Sequence, residues 1–110
     1  MKANEFVKKH GIPLAEMIIN NSPSWAKSYF LGVEEYEGID FSQSYEDCIS
    51  LNCLKRLVES HELVEKLGGI AKTKEAFGLC VFRNRASYAK RVEQAIADVE
   101  SCMEVSSESN

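Results

Sequence analysis

The sequence predicts a mainly α fold: a compact bundle of about five helices, with room for a small irregular β-hairpin around residues 28–41. Three observations carry this reading. Residues 50–69, SLNCLKRLVESHELVEKLGG, combine a start signal, a sustained apolar face and a stop signal. Aromatic residues gather between Trp25 and Tyr45, where Gly32 and Gly38 interrupt any helix. Apolar residues return at three-four spacing toward the C-terminus, at Ala89, Val92, Ile96, Val99 and Met103. A chain of 110 residues, 45% of them hydrophobic, has the size of one domain and buries a core without staples. We therefore expect a single helical domain over residues 1–103 and a disordered tail over 104–110, EVSSESN, which is polar and low in complexity.

Taken in order, NEFVKKH reads as a short helix capped by Asn4 and stopped by Gly11, with His10 placed against the carbonyl end of its dipole. Pro13 suits the first turn of a second helix, PLAEMIIN. Two helices meeting at a tight turn raise the question of a DNA-reading helix-turn-helix. Such a unit needs polar side chains on its second helix, and this one offers Leu14, Met17, Ile18 and Ile19, which argues for packing instead. NNSPS then punctuates the chain, and the aromatic stretch from Trp25 follows as the candidate hairpin.

In the central helix Ser50 is the N-cap, Ile49 and Leu54 form a hydrophobic staple, and Gly68 and Gly69 give the left-handed stop. Leu51, Leu54, Leu57, Val58, Val64 and Leu67 share one broad face, opposite Lys55, Arg56, Glu59, Glu62 and Lys66, and Leu63 is the exception. Residues 70–77 read as a short helix ended by Gly78. LCVF at 79–82 is an apolar run that periodicity leaves open, either a buried connection or the entry to the last helix. The last helix sets Lys90, Arg91, Glu93, Asp98 and Glu100 between the residues of its seam, which is expected to pack on Leu54, Leu57 and Val64.

The formal charge of -4 opposes a large non-specific grip on a phosphate backbone. The four cysteines, Cys48, Cys53, Cys80 and Cys102, have neither paired CxxC spacing nor positioned histidines, so they read as reduced, partly buried thiols and not as a zinc site. HELVE, at His61, fails as a metalloprotease HExxH because Glu65 stands where the second histidine belongs; His61 reads as half-buried and hydrogen-bonded. No dinucleotide fingerprint, P-loop or nucleophile elbow occurs, so we expect no enzyme and no cofactor. The start lacks an apolar leader and no run approaches the roughly 18 apolar residues of a membrane span, which points to a cytoplasmic protein.

Two charged stretches are the candidate sites. Glu34, Glu35, Glu37, Asp40, Glu46 and Asp47 accumulate where no Lys or Arg lies between Val33 and Ser50. With Trp25, Tyr29 and Tyr36 beside Glu34, Glu35 and Glu37, this composition suits a grip on a basic patch of another protein, the aromatics anchoring and the charges steering. Arg83, Arg85, Lys90 and Arg91 place four positive charges in nine residues without an acid. They are the alternative, a nucleic-acid contact, unless they pair with the acidic loop within the chain or across a dimer. The C-terminal seam is also the surface through which a homodimer would form.

Three segments, NEFVKKHG, LKRLVESHELVEKLGGI and QAIADVESC, about a third of the chain, resemble the small accessory proteins encoded in the early regions of lambdoid temperate phages and enterobacterial prophages. The resemblance implies a cytoplasmic, non-catalytic protein that binds a host or phage protein as an inhibitor, antirepressor or exclusion factor. It assigns no functional residue, and neither charged stretch lies within it. The expectation is a regulator acting through the acidic–aromatic surface, with a nucleic-acid-binding regulator using residues 83–91 as the rival.

Overall fold

In a computed structural model the chain is described from Met1 to Met103; the segment expected as a tail, 104–110, lies outside the described residues. Five helices, α1 (Ala3–His10), α2 (Ile12–Asn20), α3 (Leu51–Lys66), α4 (Ile70–Phe82) and α5 (Ala86–Met103), hold 62% of these residues, so the fold is mainly α. A three-stranded antiparallel sheet of β1 (Ser28–Phe30), β2 (Glu35–Glu37) and β3 (Cys48–Ser50) completes it. The chain divides into two units, residues 1–58 and the chain from Glu59 onward.

In the first unit α1 buries Ala3, Phe6 and Val7, one helical face, and packs against α2 and β3. Gly11, at φ 89°, ends α1 by donating its N–H to the Val7 carbonyl at 2.8 Å, and α2 starts directly behind it with Pro13 in its first turn. Helix α1 begins one residue before the expected cap, with Lys2 as N-cap and no side-chain capping bond.

The hairpin expected around 28–41 is β1–β2, turned through residues 31–34, and β3 pairs with β1 on its other side. Strand β3 includes Ser50, expected only as a helix cap; it holds both places, because its Oγ also accepts the Cys53 N–H at 3.4 Å. Ile49 and Leu54, the expected staple, are fully buried. Strand alternation puts Tyr36, Tyr29 and Ile49, which are cross-strand neighbours, on one face of the sheet. On the other face Phe30 meets Phe41 and Tyr45, with centroids 6.0 and 5.4 Å away, so the loop after β2 covers it. The Met1 ammonium donates to the carbonyls of Ser42, Tyr45 and Cys48 at 3.4, 3.3 and 3.0 Å, tying that loop to the start of the chain.

Along α3 the predicted face is buried at Leu51, Leu54, Leu57, Val58 and Val64. Its stop is a paired motif: Gly69 N–H reaches the Val64 carbonyl at 2.9 Å and Gly68 N–H the Glu65 carbonyl at 3.1 Å, with both glycines at positive φ.

In the second unit α4 does not end at Gly78 but runs on to Phe82, so LCVF is its last turn, with Cys80 buried and Leu79, Val81 and Phe82 exposed. A lone glycine weakens a helix by only about 1 kcal/mol, too little to stop one whose next four residues are apolar. The stop is Asn84, at φ 60°. It donates to the Val81 carbonyl at 3.1 Å and Arg85 donates to that of Cys80 at 2.8 Å, repeating the pattern at the end of α3. The Arg85 carbonyl then accepts the Ala89 N–H at 2.9 Å, so α5 starts at once and packs back along α4. Val64, Ala95 and Val99 form one core cluster, with Leu63 and Ile70 packed against it.

Two expectations about α5 change. Asp98, expected among its outward charges, is only 4% exposed. Of the seam, Ala89, Val92 and Val99 are buried and Ile96 half-buried, and only Met103 stands out at 57%, so the surface proposed for a homodimer is already covered within one chain.

Candidate functional site

The acidic–aromatic stretch separates into buried supports and an exposed strip. Tyr29 lies 9% exposed in the central strand, and Tyr36 beside it, at a ring separation of 4.8 Å, is half-buried with its hydroxyl donated to the Ile18 carbonyl at 2.6 Å. Tyr36 therefore ties the hairpin to α2, and Tyr29, packed against its ring, leaves little of its own surface open to solvent. Burial, and then the negative charge of Glu34, raises the Tyr29 phenol above its ordinary value; burial and then Tyr29 raise that of Tyr36.

What remains at the surface is a strip along the sheet edge. Trp25 is 58% exposed and lies over Gly38, where an added Cβ would stand 3.7 Å from its ring. Glu34 and Glu35 are exposed and Glu37 half-buried. Val33 and Ile39, which the sequence reading left out, are 64% and 65% exposed at the two ends of the same segment. Strand β2 is an edge strand, and glutamates at both of its ends discourage pairing with a second sheet. Glu34 has φ 55°, a left-handed conformation that disfavours residues with a Cβ and that glycine would adopt without strain.

The rest of the acidic run is tied into the loop. Asp40 accepts the Ser42 N–H at 2.9 Å. Burial alone would raise its carboxyl, but hydrogen bonds from the Ser42 hydroxyl and N–H and from the Ser50 hydroxyl, with the N-terminal charge, bring it below its ordinary value. Asp47 lies against Gly32, whose missing side chain leaves room for its carboxylate: an added Cβ would come within 2.9 Å of Oδ2. Tyr45 stands 53% exposed at the end of this loop.

The basic stretch also divides. Arg83, Arg85 and Lys90 are exposed and form no ion pair among the described residues, although Arg85 lies 5.7 Å from the centre of the Tyr88 ring. Arg91 turns inward, and its Nη1 donates to Ser60 Oγ at 3.2 Å. Ser60, fully buried, donates in turn to Asp98 Oδ2 at 2.6 Å, while Gln94 Nε2 reaches Asp98 Oδ1 at 3.0 Å. This polar network joins α3 to α5 and removes Arg91 from the set that faces solvent. Periodicity assigns polar side chains outward, so Ser60 and Asp98 gave no signal of it.

The cysteines form no disulfide; Cys48 and Cys80 are buried, Cys102 half-buried and Cys53 exposed. His10 is exposed with its ring 4.7 Å from that of Phe6, and His61 is half-buried. No helix among the described residues is long and apolar enough to cross a membrane. Comparison with protein-family models, with curated proteins and with solved structures finds no match to this chain.

Proposed function

We propose that the chain is a non-catalytic regulatory or accessory protein of a phage or prophage, acting in the bacterial cytoplasm by binding a host or phage protein through the strip of Trp25, Val33, Glu34, Glu35, Glu37 and Ile39. The observation that carries this is the exposure of a tryptophan and two aliphatic side chains on a hairpin edge otherwise made of carboxylates. Aromatic side chains dominate interface energetics and charges set orientation and on-rate, so the partner presents a basic rim around an apolar recess. The rival nucleic-acid reading is left with Arg83, Arg85 and Lys90, since Arg91 serves the buried network.

Affinity capture from an enterobacterial lysate, with wild type and the double variant Trp25→Ala/Glu35→Lys, tests the proposal. One partner held by the wild type and lost by the variant is the expected result. Equal capture by both, or binding of DNA or RNA that weakens steeply with salt and is lost on Arg83→Glu/Arg85→Glu, would overturn it.

A further inference from the structure

The second unit carries a site of opposite character, independent of the acidic strip. Between α4 and α5, next to their connection, lies an open groove of about 270 Å³. Phe77, Cys80 and Val81 line it from α4 at positions one helical face shares, and Ala86 and Ala89 line it from α5. Beside it the last turn of α4 leaves Val81 58%, Leu79 58% and Phe82 85% exposed. Three large apolar side chains open to water within four residues form the kind of patch that marks an interaction surface.

The rim is basic. Arg85 and Lys90 line the groove and Arg83 is the exposed chain neighbour of the lining residue Asn84, none of the three in an ion pair among the described residues; Glu93 is the one acid of the lining. A net charge of -4 makes this cluster a local exception to the chain as a whole. Each feature restricts the occupant. A concave apolar floor between two helices accepts the ridge of a third helix and not a flat phosphate backbone. Unpaired cations along the rim call for carboxylates. A second copy placed symmetrically on the same groove would set Arg83, Arg85 and Lys90 of both chains against each other.

We propose that the groove between α4 and α5 is a docking site for an acidic amphipathic helix of a partner protein, whose apolar stripe fills the groove while its Asp and Glu side chains meet Arg85 and Lys90. Cys80, buried, forms part of the apolar lining, and Asn84 of the turn lines the groove beside it.

The test pans a displayed library of helical peptides on the full chain and measures the enriched peptides by fluorescence anisotropy. The enriched set should share apolar residues at three-four spacing flanked by Asp and Glu. Its binding should weaken at least about tenfold on Val81→Asp and on Arg85→Glu/Lys90→Glu, and fall as salt rises. Both variants alter exposed side chains, and unchanged circular dichroism verifies their folding. Trp25→Ala/Glu35→Lys should bind the peptides as the wild type does, which separates this site from the acidic strip. The proposal is overturned by the absence of enrichment, by enriched peptides lacking acids, or by peptides that bind the variants undiminished. It is also overturned if the patch is instead consumed by phosphatidylglycerol vesicles, or by a dimer in sedimentation that Val81→Asp abolishes.

Discussion

Replacing Asp98 with alanine removes the acceptor at the centre of the buried network of the second unit. Ser60, fully buried, loses the partner of its 2.6 Å hydrogen bond and Gln94 loses one at 3.0 Å, while the half-buried Arg91 is left bonded to a Ser60 hydroxyl that has lost its acceptor. A buried polar group left without a partner costs about 1–3 kcal/mol, and breaking a buried charged network by deleting one member about 3–5. Asp98→Ala should therefore cost about 3 kcal/mol or more. Asp98→Asn keeps the volume and a carbonyl acceptor for Ser60, so it should lose about half as much. By contrast Lys74→Ala breaks the 2.9 Å pair with Glu100 where both side chains are about half exposed, and should stay within about 0.5 kcal/mol of the parent. Urea unfolding followed by circular dichroism, with the slope held in common, gives all three values. An Asp98→Ala variant as stable as Lys74→Ala would refute the reading of the network as structural.

Leu57→Ala, at a residue 2% exposed, should cost about 2–5 kcal/mol in the same assay through lost burial and the cavity left behind. The raised phenols of Tyr29 and Tyr36 stabilise the fold fully below their ordinary value of about 10, and that contribution is lost as pH rises through the folded value. Tyr29→Phe should thus retain more of its neutral-pH stability above about pH 10 than the wild type does, as read from thermal melts on either side of that pH. Alkylation without reductant should modify Cys53 of the native chain first, Cys48 and Cys80 only after unfolding, and all four thiols in the unfolded chain; an unlabelled pair in the intact mass would contradict this.

The elements that could be read in advance are those bounded by unambiguous backbone signals. Gly11, Ser50 and the Gly68–Gly69 pair sit where their conformational or capping chemistry demands them, and the face of α3 follows because a 3.6-residue repeat across 16 residues leaves little freedom. Gly78 misled because glycine within a helix is tolerated, whereas Asn84, less distinctive in sequence, takes the left-handed position that ends α4. Strand β3 was hidden because three residues carry no periodicity, and its pairing with β1 is a non-local choice made by Ile49 facing Tyr29. In the acidic–aromatic stretch composition located the region but not the orientation of its side chains. Register decides that Tyr29 and Tyr36 point inward together, while Val33 and Ile39, at the ends of the hairpin segment, stand outside. Asp98 and Ser60 show the converse, polar residues that the core takes in because they satisfy each other.

Trp25 is the only tryptophan of the chain, so its fluorescence reports on the proposed contact surface without a label. In the free protein its emission should be that of a solvent-exposed indole, open to iodide quenching, as its 58% exposure requires. On titration with the partner recovered by affinity capture, the emission should shift to the blue and quenching should fall, with the change saturating at the stoichiometry of the complex. A partner that binds while Trp25 keeps the emission and quenching of the free chain would contradict the assignment of this strip as the binding surface.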